Sequence, residues 1–154
     1  MQKEGVNYSR TSAPTPAGPS VKIVLVVANE LGYLVRHFDV KQAFATANID
    51  CKVIMKLPAG CGDLSGKYVE LKKALYCLKQ SALLWNELMF EKLVTRHGME
   101  QCKTDPCVFR LIRDGSVVMI LAVHVDDMPV AGEKVEVDKL LETCLLYTSP
   151  SPRD

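Results

Sequence analysis

Two apolar runs, Cys107–Ile112 and Val117–Val125, flank Arg113-Asp114-Gly115-Ser116, and Asp126-Asp127 interrupts the second run before it resumes over Met128–Ala131. Apolar stretches around an Asp-Gly pair signal a β-hairpin. The spacing therefore predicts three consecutive antiparallel strands, with the paired aspartates on the turn between the second and third. The runs are apolar on both faces, which points to a buried hairpin. Two adjacent carboxylates there repel each other unless a cation intervenes, and Mg²⁺ takes oxygen ligands readily. Taken alone, the pair also reads as an ordinary polar turn.

The rest of the chain has to pack on that sheet. From Leu78 to His97 the period changes: Leu78, Ala82, Trp85, Met89 and Leu93 share one face at helical spacing, Leu84 and Leu88 widen the stripe, and Gly98 supplies a stop. Val21–Leu31 reads as a helix capped by Ser20 and ended by Gly32, although its β-branched residues keep a strand in competition. Leu34–Phe38 reads as a strand delivering Asp39, with further short strands at Val53–Leu57 and Tyr68–Leu71 and a closing helix around Val135, Leu140 and Leu141. This order is α+β. Residues 1–19, with Pro14, Pro16, Gly18 and Pro19, form an irregular lead-in; 20–142 form the folded part. Residues 143–154 differ in kind. The string CLLYTSPSPRD resembles translated cloning sequence, with a native disordered tail as the alternative.

Composition removes several classes. The net charge of +1, from 19 basic and 18 acidic residues, shows no bulk basic excess of the kind nucleic-acid binders carry. Lys72, Lys73 and Lys79 form a local basic patch or simply a solvated face. None of the six cysteines is spaced as CxxC, which argues against zinc and, with no secretory signal, for free thiols. The longest apolar runs, Ile23–Ala28 and Val117–Val123, are too short to span a membrane.

Asp39 reads either as a strand-end aspartate or as a third carboxylate. If its strand lies beside the Asp126 hairpin, three carboxylates converge at one sheet edge and suit two metals about 4 Å apart, the arrangement for in-line phosphoryl transfer. Several blocks then carry a resemblance. FDVKQAF (Phe38–Phe44) resembles the LDVKTAF of Ty1/copia-type reverse transcriptases, and IMKLPAG (Ile54–Gly60) resembles YMKQPPG. KYVELKKALYCLKQSALLW (Lys67–Trp85) is similar to KLKKALYGLKQAPRAW, and KTDPCVF (Lys103–Phe109) to KADPCLF. VMILAVHVDDMPVAG (Val118–Gly132) resembles ILLVYVDDLLIAG, and KEGVNYSRTSAP (Lys3–Pro14) resembles KEGVDYFETFAP. The blocks stand in order over roughly residues 3–142.

The resemblance implies a polymerase palm-like antiparallel sheet with packed helices, incomplete because the fingers are partly missing and the thumb and RNase H are absent. It implies RNA- or DNA-templated primer extension with two Mg²⁺ ions, or Mn²⁺ in their place. Asp39, Asp126 and Asp127 become the catalytic, metal-binding aspartates. Val40 lends a backbone carbonyl, Phe44 packs under the incoming sugar, and Cys77, Lys79 and Gln80 lie near the nucleotide or template. Template-primer, dNTP and the integrase and RNase H regions of a polyprotein are the implied partners, and cytoplasmic particles the implied location. Four positions depart from the pattern: Cys77 stands for glycine, Ala82 for proline, His124 for tyrosine, and Pro129 for an apolar strand residue. They support an alternative, a degenerate retroelement remnant with at most nucleic-acid binding. Another palm-fold enzyme such as a cyclase would share the metal logic but not the LKQ block. As an isolated fragment the chain is expected to be inactive.

Overall fold

The computed structural model describes residues 2–144. Those residues form helices α1 (Gly18–Leu31), α2 (Ala43–Thr46), α3 (Ser81–Thr95) and α4 (Lys134–Cys144). The strands are β1 (Leu34–Asp39), β2 (Ile54–Lys56), β3 (Tyr68–Glu70), β4 (Glu100–Gln101), β5 (Val108–Arg113), β6 (Ser116–Ala122) and β7 (Asp127–Gly132). This is the expected α+β class. Of the tail set apart at 143–154, residues 145–154 lie outside the described residues. The chain divides into two compact units. One comprises the chain up to Ala13 together with Phe44–Glu87; the other comprises Pro14–Ala43 and the chain from Leu88 onward.

The second unit holds an antiparallel sheet in the order β1-β7-β6-β5-β4. The β5–β6 turn has positive φ at both Asp114 (50°) and Gly115 (78°), the type I′ geometry that matches strand twist. Side-chain alternation then gives the sheet two apolar faces. On one, α1 buries Val24 and Ala28 against Val108, Ala122 and Ala131. On the other, Phe109, Leu111, Met119, Leu121, Met128 and Val130 are buried. Phe90 meets Phe109 edge-on at 4.9 Å, and α4 lies against β7, β1 and β6.

The α1 start differs from the expected one. The cap position is Ala17, not Ser20, and it makes no side-chain cap bond; Pro19 sits in the first turn. Asp105, distant in sequence, bonds the helix start instead. Its carboxylate accepts the Ala17 N–H at 2.9 Å and the Cys107 N–H at 2.9 Å, and the Ser20 hydroxyl bonds it too. Gly32 ends the helix at φ 63°, as expected. The run read as a strand to Val125 pairs only to Ala122. The β6–β7 register runs from Met119↔Gly132 to Leu121↔Val130 and resumes at the His124–Asp127 bridge. Glu133 donates to the Val118 carbonyl and Asp127 to that of His124, so alternate residues of β7 aim their N–H groups at β6. Pro129 falls at such a position and has no N–H to give.

In the first unit, β2 and β3 form a two-stranded ribbon with Lys56 opposite Tyr68. Gln80 organises the neighbouring turn. It is fully buried, its Nε2 donates to the Asn7 carbonyl at 2.8 Å, and its Oε1 accepts from Gln2 Nε2 at 2.8 Å.

Candidate functional site

The edge strand β1 brings Asp39 directly opposite Asp127 of β7. The Val40 N–H donates to the Asp126 carbonyl at 3.0 Å, which makes that pair hydrogen-bonded and Asp39–Asp127 the non-hydrogen-bonded kind. Side chains of such a pair stand closest and share one face. Like charges placed so destabilise a sheet. His37 stands two residues back on the same face, and its Nε2 lies 3.5 Å from Asp127 Oδ1. Sequence reasoning missed His37. Its signal was parity with Asp39 along an edge strand.

Asp126 occupies the turn. His124 and Asp127 exchange both backbone hydrogen bonds, at 2.8 and 2.9 Å, around Val125 and Asp126. Val125 has φ 58° while Asp126 does not share the left-handed region, a pattern of the type II′ turn. That position favours glycine, and a β-branched residue there is strained by about 1–3 kcal/mol. The aspartates thus sit on a strained hairpin end, Asp126 in the turn and Asp127 opening β7.

All three carboxylates therefore lie at one end of one sheet. Among the described residues, no three His, Cys, Asp or Glu side chains close around a point where a metal ion would sit. The donor chemistry still suits a hard divalent cation: oxygen ligands from adjacent strands, with no Lys or Arg ion-paired to any of them among the described residues. The fit is one of donor type and strand register.

The remaining candidates fall in two places. Val40 belongs to the unit of the aspartates and is buried beside them in sequence. Phe44, Cys77, Lys79 and Gln80 belong to the other unit. There Phe44 meets Tyr76, a residue not anticipated, with ring centroids 4.5 Å apart and planes inclined by 48°. Cys77 is exposed with φ 72°, so the glycine it replaces answers a backbone demand of the turn itself. Lys79 is exposed, and its N–H donates to Gln2 Oε1 at 2.9 Å. Gln80 has no exposed surface, and its amide is engaged by Gln2 and Asn7.

Comparison with known proteins adds a second line. The family described as "Reverse transcriptase (RNA-dependent DNA polymerase)" matches residues 1–145. The chain is 35% identical over 133 residues to a retrovirus-related Pol polyprotein from transposon RE1 of Arabidopsis thaliana, covering 85% of this chain and 9% of that protein. It is 34% identical over the same length to the transposon RE2 polyprotein of that plant, again 85% and 9%. With a truncated transposon Ty1-A Gag-Pol polyprotein of Saccharomyces cerevisiae it shares 29% over 121 residues, 79% of this chain and 10% of that one. The chain thus spans about a tenth of the length of these relatives. No solved structure matches significantly.

Proposed function

We propose template-directed DNA synthesis by two-metal nucleotidyl transfer as the chemistry this segment serves, on the premise that the chain belongs to the Ty1/copia-type reverse transcriptase family. The five-stranded sheet with helices on both faces is then the palm. The observation that carries the reading is the Asp39↔Asp127 register with Asp126 tied to Val40. Asp39, Asp126, Asp127 and the Val40 carbonyl would hold the divalent ions. When bound, these ions activate the primer 3′-hydroxyl and stabilise the leaving pyrophosphate. The chain's own work is positioning, which is most of what phosphoryl transfer asks of a protein. The hairpin fixes two carboxylates on adjacent strands, and His37 keeps Asp127 aligned. Within the other unit, Phe44 is backed by Tyr76, and Gln80 holds from inside the turn that bears Cys77 and Lys79, residues to which the family resemblance gives sugar and phosphate contacts.

The test is thermal unfolding with and without Mg²⁺. In chelator, Asp39→Asn is expected to raise the midpoint, because a like-charge pair is relieved. Added Mg²⁺ should raise the wild-type midpoint through binding to the folded state, and this rise should vanish in Asp39→Asn and Asp127→Asn. Equal Mg²⁺ shifts in all three proteins would remove the proposal.

Two observations favour a second reading, a degenerate copy. Pro129 breaks the ladder next to Asp127, and Cys77 holds a glycine conformation. In the complete Pol protein, Pro129→Leu and Cys77→Gly should then raise incorporation; if neither does, this copy is not impaired at those positions.

A further inference from the structure

The β2–β3 ribbon has a sharp inside and outside. Val53, Met55, Val69 and Leu71 turn inward and are buried or half-buried. The outer row on β2 reads Lys52, Ile54, Lys56, and on β3 Tyr68, Glu70, Lys72; all six are exposed. The register pairs Ile54 with Glu70 and Lys56 with Tyr68, and the Leu71 N–H bond to the Val53 carbonyl at 2.9 Å extends it toward Lys52 and Lys72. Tyr68 is 72% exposed and Ile54 57%, which is high for residues that could pack inward.

We propose that this outer face is a docking surface for single-stranded nucleic acid, with Tyr68 as the stacking platform and Lys52 and Lys56 as phosphate contacts. Charge on the face is lopsided. Its one carboxylate, Glu70, is taken by Lys72 at 2.8 Å. That hydrogen bond and charge, with Lys52 behind them, hold the Glu70 carboxyl below its ordinary range. Lys56 has no carboxylate partner among the described residues and stands across from the tyrosine ring. An exposed aromatic flanked by unneutralised lysines matches bases with free π faces on an anionic backbone. A duplex hides those faces, so the ring distinguishes single from double strands. A protein partner fits less well, because charged side chains make up most of the row and protein interface cores are depleted of them. None of these residues is among the three aspartates, so the failure of ion binding there leaves this surface untouched.

The experiment is fluorescence anisotropy of labelled oligo-dT, and of a matched duplex, with the purified chain across a salt series. Wild type should bind oligo-dT more tightly than duplex and weaken as salt rises. Tyr68→Ala should weaken oligo-dT binding by about tenfold or more. Lys56→Ala and Lys52→Ala should each flatten the salt slope by about 0.7. Lys22→Ala, a charge-matched change on α1, should leave slope and affinity as they are. Unfolding midpoints of the variants check that they fold, which exposed positions on the outer row should allow. The proposal is overturned if wild type does not bind oligo-dT or if Tyr68→Ala binds unchanged. It is equally overturned if duplex competes as well as single strand, since the face would then be a general phosphate patch.

Discussion

At the scale of single residues, the strain is concentrated where the family resemblance is strongest. Val125 at φ 58° and Cys77 at φ 72° both occupy the left-handed region. Each costs about 1–3 kcal/mol against a residue that enters it freely. Cys77→Gly is therefore expected to raise stability by about 1 kcal/mol, the relief of strain being partly offset by a more flexible unfolded chain. Urea unfolding measures it, and an unchanged or lowered midpoint means the turn does not demand glycine. Gly132 is the opposite case. Its conformation is ordinary, but a Cβ there would meet the Val118 carbonyl at 2.7 Å and Met119 side-chain atoms at 2.8 Å. Gly132→Ala should cost about 1–3 kcal/mol by overpacking two strands that cannot separate. The glycine that ends the VDD block is thus a packing residue, which its letter alone does not reveal.

At the scale of elements, the strands and helices were legible wherever the signal was local. The Asp114-Gly115 turn, the α3 stripe and the Gly32 stop are all written within a few neighbouring residues. What was not legible depended on partners far along the chain. Ser20 looked like a cap, yet α1 begins earlier, where Asp105, 88 positions on, accepts the Ala17 N–H. β4 is two residues long and exists only through its pairing with β5. The aspartate site was legible as letters, while the neighbouring of Asp39 and Asp127 is a fact of sheet order. The burial of Gln80 was likewise not legible, because the blocks carry no burial. The Asp105 latch carries a pH prediction. Burial alone would push its carboxyl up, but the bonds from Ser20, Ala17 and Cys107 outweigh that and hold it below its ordinary value. A carboxylate depressed in the folded state contributes stability that is present above the unfolded value of 3.8 and lost as pH falls through the folded one. Hydrogen exchange in α1 should therefore accelerate selectively in acid, below about pH 4. Asp105→Ala should abolish that dependence and cost about 2–3 kcal/mol at neutral pH through lost bonds to a charged group.

At the scale of the whole molecule, the chemistry proposed for the aspartates depends on how a primer terminus is held. The described residues put three carboxylates at the end of one sheet, but the chain spans about a tenth of the relatives that carry this segment. Phosphoryl transfer gains its rate from holding hydroxyl, phosphate and ions in line, and a misplacement on the order of 1 Å costs about a hundredfold. Carboxylates at a sheet end therefore contribute to rate only where the primer terminus is held in line with them. The purified 154-residue chain is expected to incorporate no dNTP above the background of its Asp126→Asn variant, with Mg²⁺ or Mn²⁺ and a primed template. The same residues within a complete Pol protein should incorporate, and Asp126→Asn should abolish that activity. Incorporation by the isolated chain that disappears in Asp126→Asn would show that this segment alone places a primer terminus.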